Sequence, residues 1–123
     1  MNRVLVIDPD RVARERLGLA CLAEDVGAVL TENLAEGVRI LLSVPVSLIV
    51  VDAGALRFTL REHATLFERV APAVPVVVTV AADAPLESRV ALEVAGFRVL
   101  TRPPTVEDLL RKALGPDAGE VTA

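Results

Sequence analysis

The chain has 123 residues, a length that suits one domain with a hydrophobic core and is too short for two. Hydrophobic residues make up 53% of the chain and aromatic residues only 2%, which argues against a disordered protein and against base stacking on single-stranded nucleic acid. The net charge is −4 and the basic residues are scattered, so neither nucleic acid nor an anionic membrane surface is expected as a direct partner.

Nothing in the first residues or in the cysteine content indicates export. Cys21 is the single cysteine, so no internal disulfide can form, which fits a reducing compartment. Two acids directly follow the first apolar run, unlike a signal peptide. No apolar stretch reaches the roughly 20 residues of a membrane helix. We therefore expect a cytoplasmic protein with no membrane partner.

Five short apolar runs recur at nearly even spacing and predict five β-strands. They are Arg3–Ile7, Ala28–Thr31, Ser47–Val51, Pro75–Val80 and Phe97–Thr101. Three of the runs are almost wholly apolar rather than alternating. Such runs are typical of a parallel sheet that helices cover on both faces.

The segments between the strands carry apolar residues at helical spacing, which predicts five helices. In chain order their apolar faces are Ala13, Leu17, Ala20 and Cys21; Leu34, Val38, Leu41 and Leu42; Leu60, Ala64, Phe67 and Ala71; Leu86, Val90 and Val94; and Val106, Leu109, Leu110, Ala113 and Leu114. Thr105 with Asp108 indicates a cap at the start of the fifth helix, and Gly115-Pro116 indicates its end.

Alternating strands and helices predict an α/β fold. We expect a (βα)5 flavodoxin-like, doubly wound parallel sheet of five strands in the order 2-1-3-4-5. The domain is predicted to span residues 1–115, and residues 116–123 are predicted to form a flexible tail. In this fold, chemistry takes place at the carboxyl ends of the strands near the switch point, so those ends hold the candidate site.

Acidic residues lie at the carboxyl ends of the first and third strands. Asp8 and Asp10 follow strand one and Asp52 follows strand three, so neighbouring parallel strands bring the three carboxylates together. Clustered carboxylates repel one another unless a cation or a proton is shared, and Mg²⁺ suits such a set. Helix capping by Asp8, with Pro9 at the first helical position and Asp10 in the first turn, is an equal alternative for the first pair.

Arg102 follows strand five at the same edge of the sheet. Its guanidinium is placed either to bind a phosphoryl oxygen or to pair with the acidic cluster, and both roles need the same position. His63 and Cys21 are weaker candidates for a functional site. A lone histidine is most often a surface or satisfied side chain, and Cys21 lies on an apolar helix face.

In this order and spacing, these fragments resemble the receiver domain of two-component response regulators over residues 2–114. The likeness is carried by VLVID ending at Asp8, LIVVD ending at Asp52, PVVVTVA over Pro75–Ala81, Ala95-Gly96, and Arg102-Pro103 followed by Thr105. The resemblance implies a CheY-like fold in which Asp52 accepts a phosphoryl group from a histidine kinase. It also implies that Asp8, Asp52 and the backbone carbonyl of Gly54 hold Mg²⁺, and that the peptide before Pro103 is cis.

Two departures from the family pattern affect the metal and the cation. Pro9 replaces the second acid after strand one, which is normally the direct metal ligand, so Asp10 would have to compensate. Arg102 replaces the family lysine, which keeps the charge and changes its geometry.

Further departures affect the conformational switch. Counted from Pro75, Val80 takes the place of the hydroxyl residue that ends strand four, and Thr79 is expected to face the other side of the sheet. Val99 takes the place of the aromatic switch residue in strand five.

These losses predict an atypical receiver, or pseudo-receiver, in two-component or phosphorelay signalling. It would act mainly as a protein–protein interaction module with weak or no phosphorylation at Asp52, without enzymatic activity and without a cofactor other than the implied Mg²⁺. The expected partner is a histidine kinase or a downstream effector. The resemblance implies that it binds the face of helix four, strand five and helix five, and a homodimer is a further expectation. The alternative is a working receiver that a histidine kinase phosphorylates on Asp52 with Mg²⁺.

Overall fold

The computed structural model describes residues 3–114 and confirms the predicted fold class. Five parallel strands form one sheet in the order β2-β1-β3-β4-β5. The strands are β1 (Arg3–Ile7), β2 (Gly27–Thr31), β3 (Leu48–Asp52), β4 (Val76–Val80) and β5 (Arg98–Thr101). The helices are α1 (Arg11–Ala23), α2 (Leu34–Leu41), α3 (Leu60–Val70), α4 (Leu86–Val94) and α5 (Val106–Leu114), and a 3₁₀ turn covers Ala53–Ala55. The predicted tail over 116–123 lies outside the described residues.

The strands are apolar at nearly every position because both faces of the sheet are covered. Successive side chains of a strand point to opposite faces. One face carries Val50 and Val77 and packs against residues of α1 and α5 such as Cys21 and Leu109. The other face packs against Phe67 of α3 and Leu92 of α4. Each fully buried aliphatic side chain contributes about 1.5–3 kcal/mol, so the two cores fix the sheet.

The start of α1 differs from the sequence expectation. Asp10, rather than Asp8, is the N-cap: its side chain accepts hydrogen bonds from the backbone N–H groups of Val12 and Ala13. Pro9 therefore precedes the helix and does not occupy its first position. The prediction for α5 agrees better, because Thr105 Oγ1 accepts the backbone N–H of Asp108 over 3.0 Å.

The buried face of α4 was predicted wrongly. Leu86, Val90 and Val94 are exposed, and Leu92 is the helix residue that enters the core. Leu86, Val90 and Val94 lie at helical spacing, but periodicity alone does not show whether they or Leu92 face the sheet. The consequence is an apolar stripe along the outside of α4.

Two further expectations concern burial and membranes. Cys21 is fully buried and carries a free thiol, as its place on an apolar helix face indicated. Between residues 3 and 114, none of the helices has the length and apolar character needed to cross a bilayer.

Candidate functional site

Asp52 lies at the centre of the candidate site, at the carboxyl end of β3, and its side chain is almost completely buried. One carboxylate oxygen, Oδ1, accepts hydrogen bonds from Thr79 Oγ1 over 3.0 Å and from Arg102 Nη1 over 2.8 Å. The other, Oδ2, accepts the backbone N–H of Gly54 over 2.9 Å. Three donors therefore satisfy a carboxylate that burial would otherwise penalise.

Gly54 belongs to this arrangement through its small size. A Cβ atom at this position would lie 2.9 Å from Asp52 Oδ2, closer than carbon and oxygen normally approach. The glycine therefore allows the turn after β3 to fold back onto the carboxylate.

Thr79 faces Asp52, which corrects the sequence expectation that it would face the other side of the sheet. In the pairing of β3 with β4, Asp52 lies opposite Thr79, so both side chains leave the same face. Val80, which spacing from Pro75 placed at the hydroxyl position, packs into the hydrophobic core on the other face. The site therefore keeps a buried hydroxyl beside the acidic residue.

Arg102 reaches the site from the residue after β5. Its backbone N–H donates to the carbonyl of Val80 over 2.8 Å, and its peptide bond to Pro103 is cis, as the resemblance implied. The Arg102 side chain is 41% exposed, whereas the Asp52 side chain is 5% exposed. The sequence left two roles open for Arg102, pairing with the acidic cluster and binding a phosphoryl oxygen. The structure contains the ion pair with Asp52, and the Arg102 side chain is partly exposed to solvent.

Asp8 lies at the end of β1 beside the same cluster and is largely buried. Its Oδ1 accepts the backbone N–H of Asp10 over 2.9 Å, and its carbonyl accepts Arg14 Nη1 over 2.7 Å. Burial raises the pKa of the Asp8 carboxyl above its ordinary value, and the charges of Asp52 and Asp10 act in the same direction. The hydrogen bond from Asp10 and the charge of Arg102 oppose that rise.

The donor set does not fit the Mg²⁺ site that the resemblance implies. Pro9 offers no side-chain oxygen, and the Asp10 carboxylate caps α1. Asp52 already accepts three hydrogen bonds, one of them from a cation. Within residues 3–114, no group of three or more Asp, Glu, His or Cys side chains is arranged to hold a metal ion.

Val99 lies in the hydrophobic core of the sheet face opposite Asp52. It is buried and pairs in register with Val78 of β4. Its short aliphatic side chain is packed among core residues, and it offers no large ring that would move between core and surface.

A cleft of about 530 Å³ opens beside the carboxylates. Asp8 and Asp52 lie at its polar end with Arg102, and Leu17 of α1 and Pro104 of the segment after β5 supply apolar walls. The cleft gives solvent and small solutes a route to the buried end of β3.

His63 was expected to be either a surface side chain or a satisfied one, and it is fully buried. Its Nε2 accepts the backbone N–H of Phe58 over 2.9 Å, and its Nδ1 has no hydrogen-bond partner among the described residues. Burial lowers the pKa of the imidazole, against a smaller opposite effect of Glu62. A neutral His63 therefore anchors the loop that follows the Asp52 turn.

Comparisons with known proteins identify the fold. No family model matches the chain, and no curated protein matches it either. Solved structures do match. A response regulator protein from Burkholderia pseudomallei, described with a phosphorylated aspartic acid, calcium ion and citrate, is 23% identical with a TM-score of 0.78, over 99% of this chain and 71% of that one.

Two further matches extend over essentially whole chains. A CheY-like response regulator receiver domain protein from Methanospirillum hungatei JF-1 is 19% identical with a TM-score of 0.76, over 100% of this chain and 99% of that one. A two-component response regulator from Clostridium difficile is 17% identical with a TM-score of 0.78, over 100% of both chains. The chain therefore has the fold of response regulator receiver domains.

Proposed function

We propose that the chain acts as an atypical receiver domain in two-component or phosphorelay signalling. It serves mainly as a protein–protein interaction module, and Asp52 takes up little or no phosphoryl group. The fold and the place of Asp52 at the end of β3 support the receiver assignment. The residues at the end of β1 support the atypical character, because Pro9 has no side-chain oxygen and the Asp10 carboxylate caps α1.

One observation carries this proposal: the end of β1 offers no second acidic side chain free to hold a metal ion, and Arg102 faces the Asp52 carboxylate. The two side chains form a 2.8 Å ion pair. Pro9 and the cap role of Asp10 remove two side chains that would otherwise share a cation with Asp8. Phosphoryl transfer to a carboxylate depends on metal ions that neutralise the developing charge, so this arrangement disfavours the reaction.

The alternative function is a working receiver that a histidine kinase phosphorylates on Asp52 with Mg²⁺. The position of Thr79 favours it, because its hydroxyl lies 3.0 Å from Asp52 Oδ1 and could follow an oxygen of a bound phosphoryl group. Arg102 would supply a second donor to the same group. These two contacts retain part of the apparatus of a phosphate-accepting site.

Incubation with acetyl phosphate and Mg²⁺, followed by intact-mass measurement, separates the two functions. The proposal expects at most a trace of a species heavier by one phosphoryl group. A stoichiometric adduct that is absent from Asp52→Asn would establish the working receiver and overturn the proposal that Asp52 takes up little or no phosphoryl group. Beryllofluoride with Mg²⁺ gives an independent readout, because a ligand that binds only the folded state raises Tm. We expect no rise in Tm in the wild type or in Asp52→Asn.

A gain-of-function variant tests the cause that we assign to the loss. Pro9→Asp places a carboxylate next to Asp8, where the resemblance expects a metal ligand. The variant is expected to gain a Mg²⁺-dependent rise in Tm and more adduct with acetyl phosphate. Pro45→Asp, at an exposed proline far along the chain, is the matched control. If Pro9→Asp and Pro45→Asp behave alike, Pro9 does not limit the chemistry.

We propose that the partner, a histidine kinase or a downstream effector, binds the face formed by α4, β5 and α5. The exposed stripe of Leu86, Val90 and Val94 supports this choice, because the three residues follow one another at intervals of four along α4. Contiguous exposed apolar residues on a small domain mark interaction surfaces. Arg98 Nη1 donates to the carbonyl of Ala113 over 2.9 Å and so joins β5 to the end of α5.

The partner face is tested by affinity capture with three versions of the chain. Val94→Glu is expected to lose a kinase or effector that the wild type retains, because the glutamate interrupts the α4 stripe. Leu42→Glu, at an exposed leucine after α2, is the matched control and should retain it. Equal retention by both variants would place the partner elsewhere.

A further inference from the structure

His63 is the one histidine of the 123-residue chain, and it is completely buried near the start of α3. Its Nε2 accepts the backbone N–H of Phe58 over 2.9 Å, so the neutral ring carries its proton on Nδ1. Nδ1 is buried and has no hydrogen-bond partner among residues 3–114. In the described part of the chain the imidazole therefore makes a single hydrogen bond, which joins it to the loop between the Asp52 turn and α3.

This loop, residues 56–59, is held at both ends by bonds that do not involve His63. At one end, a backbone hydrogen bond from Leu56 closes the 3₁₀ turn over 3.1 Å. At the other end, Thr59 and Glu62 form a capping box: Thr59 Oγ1 accepts the Glu62 backbone N–H, and the Glu62 carboxylate accepts the Thr59 backbone N–H. Between these two anchors, among the described residues, only the bond from Phe58 to His63 fixes the backbone of residues 57 and 58.

The side chain of Phe58 packs beside His63 and borders a groove. Its ring centroid is 5.4 Å from the imidazole centroid, and the residue is 63% exposed. The groove has a volume of about 580 Å³, and its other apolar walls include Leu34 of α2 and Leu66 of α3. The loop therefore forms one wall of the groove, and the hydrogen bond to His63 fixes the position of that wall.

Protonation of His63 is incompatible with this arrangement. In the imidazolium form both ring nitrogens are donors, so a proton on Nε2 would face the Phe58 N–H with no acceptor between them. Nδ1 gains nothing in return, because no acceptor lies beside it within residues 3–114. A protonated ring must therefore give up its bond to Phe58 and reach water.

Only one charged side chain acts on the pKa of His63. Burial lowers this pKa, and the charge of Glu62, the preceding residue of α3, opposes the effect more weakly. Arg57 in the loop, Arg61 in the first turn of α3 and Asp52 at the end of β3 form neither a hydrogen bond nor an ion pair with the imidazole. The same holds for every other acidic or basic side chain of the described chain. No buried carboxylate is paired with the ring to hold it in place once it is charged.

We propose that His63 is an acid-sensitive latch on this loop, a property that goes beyond the proposed receiver function. Neutral His63 holds Phe58 in the closed position. When the bond from Phe58 breaks, the freed lone pair of Nε2 takes up a proton from solvent, and residues 57 and 58 move outward between their two anchors. The Phe58 wall of the groove then opens, while the Asp52 turn and the capping box stay in place.

The latch opens as the pH falls. In the open loop the imidazole is in water and has an ordinary pKa of about 6.5, whereas in the closed loop burial lowers that pKa. Below about pH 6.5 the open form therefore binds the proton more tightly, and its share of the population rises. Each unit of separation between the two pKa values corresponds to about a tenfold rise in the ratio of open to closed loop.

Hydrogen exchange of the Phe58 amide, followed by NMR, measures this opening. Its protection factor, which corrects for the intrinsic exchange rate at each pH, should fall by about threefold or more between pH 7 and pH 5. The Glu62 amide, which donates to Thr59 Oγ1 over 3.1 Å, is the internal control and should keep its protection. Unchanged protection at Phe58, or an equal loss at Phe58 and Glu62, would refute the latch.

Two variants identify the group that titrates. His63→Gln keeps a neutral side chain that accepts hydrogen bonds but has no pKa in this range, so protection of the Phe58 amide should no longer depend on pH. Asp8→Asn removes a second group with a raised pKa and should retain the fall seen in the wild type. A fall that persists in His63→Gln, or one that disappears in Asp8→Asn, would assign the effect to another group and overturn the proposal.

The ¹⁵N spectrum of the His63 ring in the wild type tests the latch even if His63→Gln fails to fold. The neutral ring should carry its proton on Nδ1, because Nε2 accepts the Phe58 N–H. Its conversion to imidazolium should have the same pH midpoint as the loss of protection at Phe58. A neutral ring protonated on Nε2, or two different midpoints, would contradict the proposal.

Discussion

Replacing Thr79 with valine removes one donor from the buried Asp52 carboxylate while nearly keeping the shape of the side chain. Thr79 Oγ1 donates to Asp52 Oδ1 over 3.0 Å, and both residues are buried. A hydrogen bond to a charged group contributes about 1.5–3 kcal/mol. The free energy of unfolding should fall by that amount, because the contacts of Asp52 with Arg102 and Gly54 remain. At about 4 °C per kcal/mol, Tm should fall by roughly 6–12 °C.

Thr31 provides a matched control for the charge of the acceptor. It is also buried and donates through Oγ1 over 3.0 Å, but to the neutral carbonyl of Val6. Thr31→Val should therefore cost only about 0.5–1.5 kcal/mol. Urea denaturation of both variants measures the difference. The reasoning fails if Thr79→Val costs no more than Thr31→Val, or if it costs as much in an Asp52→Asn background as in the wild type.

Three further outcomes follow from the same site and its surroundings. Arg102→Met should lower the free energy of unfolding, measured by urea denaturation, by about 1 kcal/mol, less than the loss of a fully buried pair because the Arg102 side chain is 41% exposed. Asp8→Asn should raise Tm at neutral pH and leave it unchanged below about pH 3.8, since a raised pKa makes ionised Asp8 a cost that disappears on protonation. The lowered pKa of His63 means that stability falls as pH drops below 6.5, and His63→Gln should reduce that loss in melts from pH 7 to 5.

The strands and their order follow from the sequence because burial on both faces leaves a plain signal. The runs around Val50 and Val77 are almost wholly apolar, and the right-handed crossover rule then restricts the topology. The same property hides which side chain faces which side. All five residues of β4 are buried, so its sequence shows no alternation from which the face of Thr79 could be read.

The error at Thr79 was one of counting from the wrong residue. Pro75 precedes β4, which begins at Val76, and the register with β3 places Thr79 opposite Asp52. A shift of one residue exchanges the two faces of a strand. Because of that shift, the sequence wrongly predicted that no hydroxyl group of β4 faces Asp52, whereas Thr79 provides one.

The buried face of α4 and the burial of His63 also could not be predicted from the sequence. In α4 the sequence offers apolar residues on two sides, and only the packing of Leu92 against the sheet decides between them. His63 lies between Glu62 and Ala64 in a helix whose apolar face was read from other residues. Its burial depends on the Phe58 backbone N–H, a partner that only the folded loop brings near.

The contacts of Asp52 support both candidate functions, because donors that hold a carboxylate are also suited to hold a phosphoryl oxygen. Thr79 and Arg102 therefore do not distinguish an inert receiver from a working one. The distinction lies on the other side of the carboxylate, where a metal would have to bind. There Pro9 supplies no oxygen and Asp10 is committed to the start of α1. The residues at the end of β1, more than the acceptor Asp52 itself, therefore make this receiver atypical.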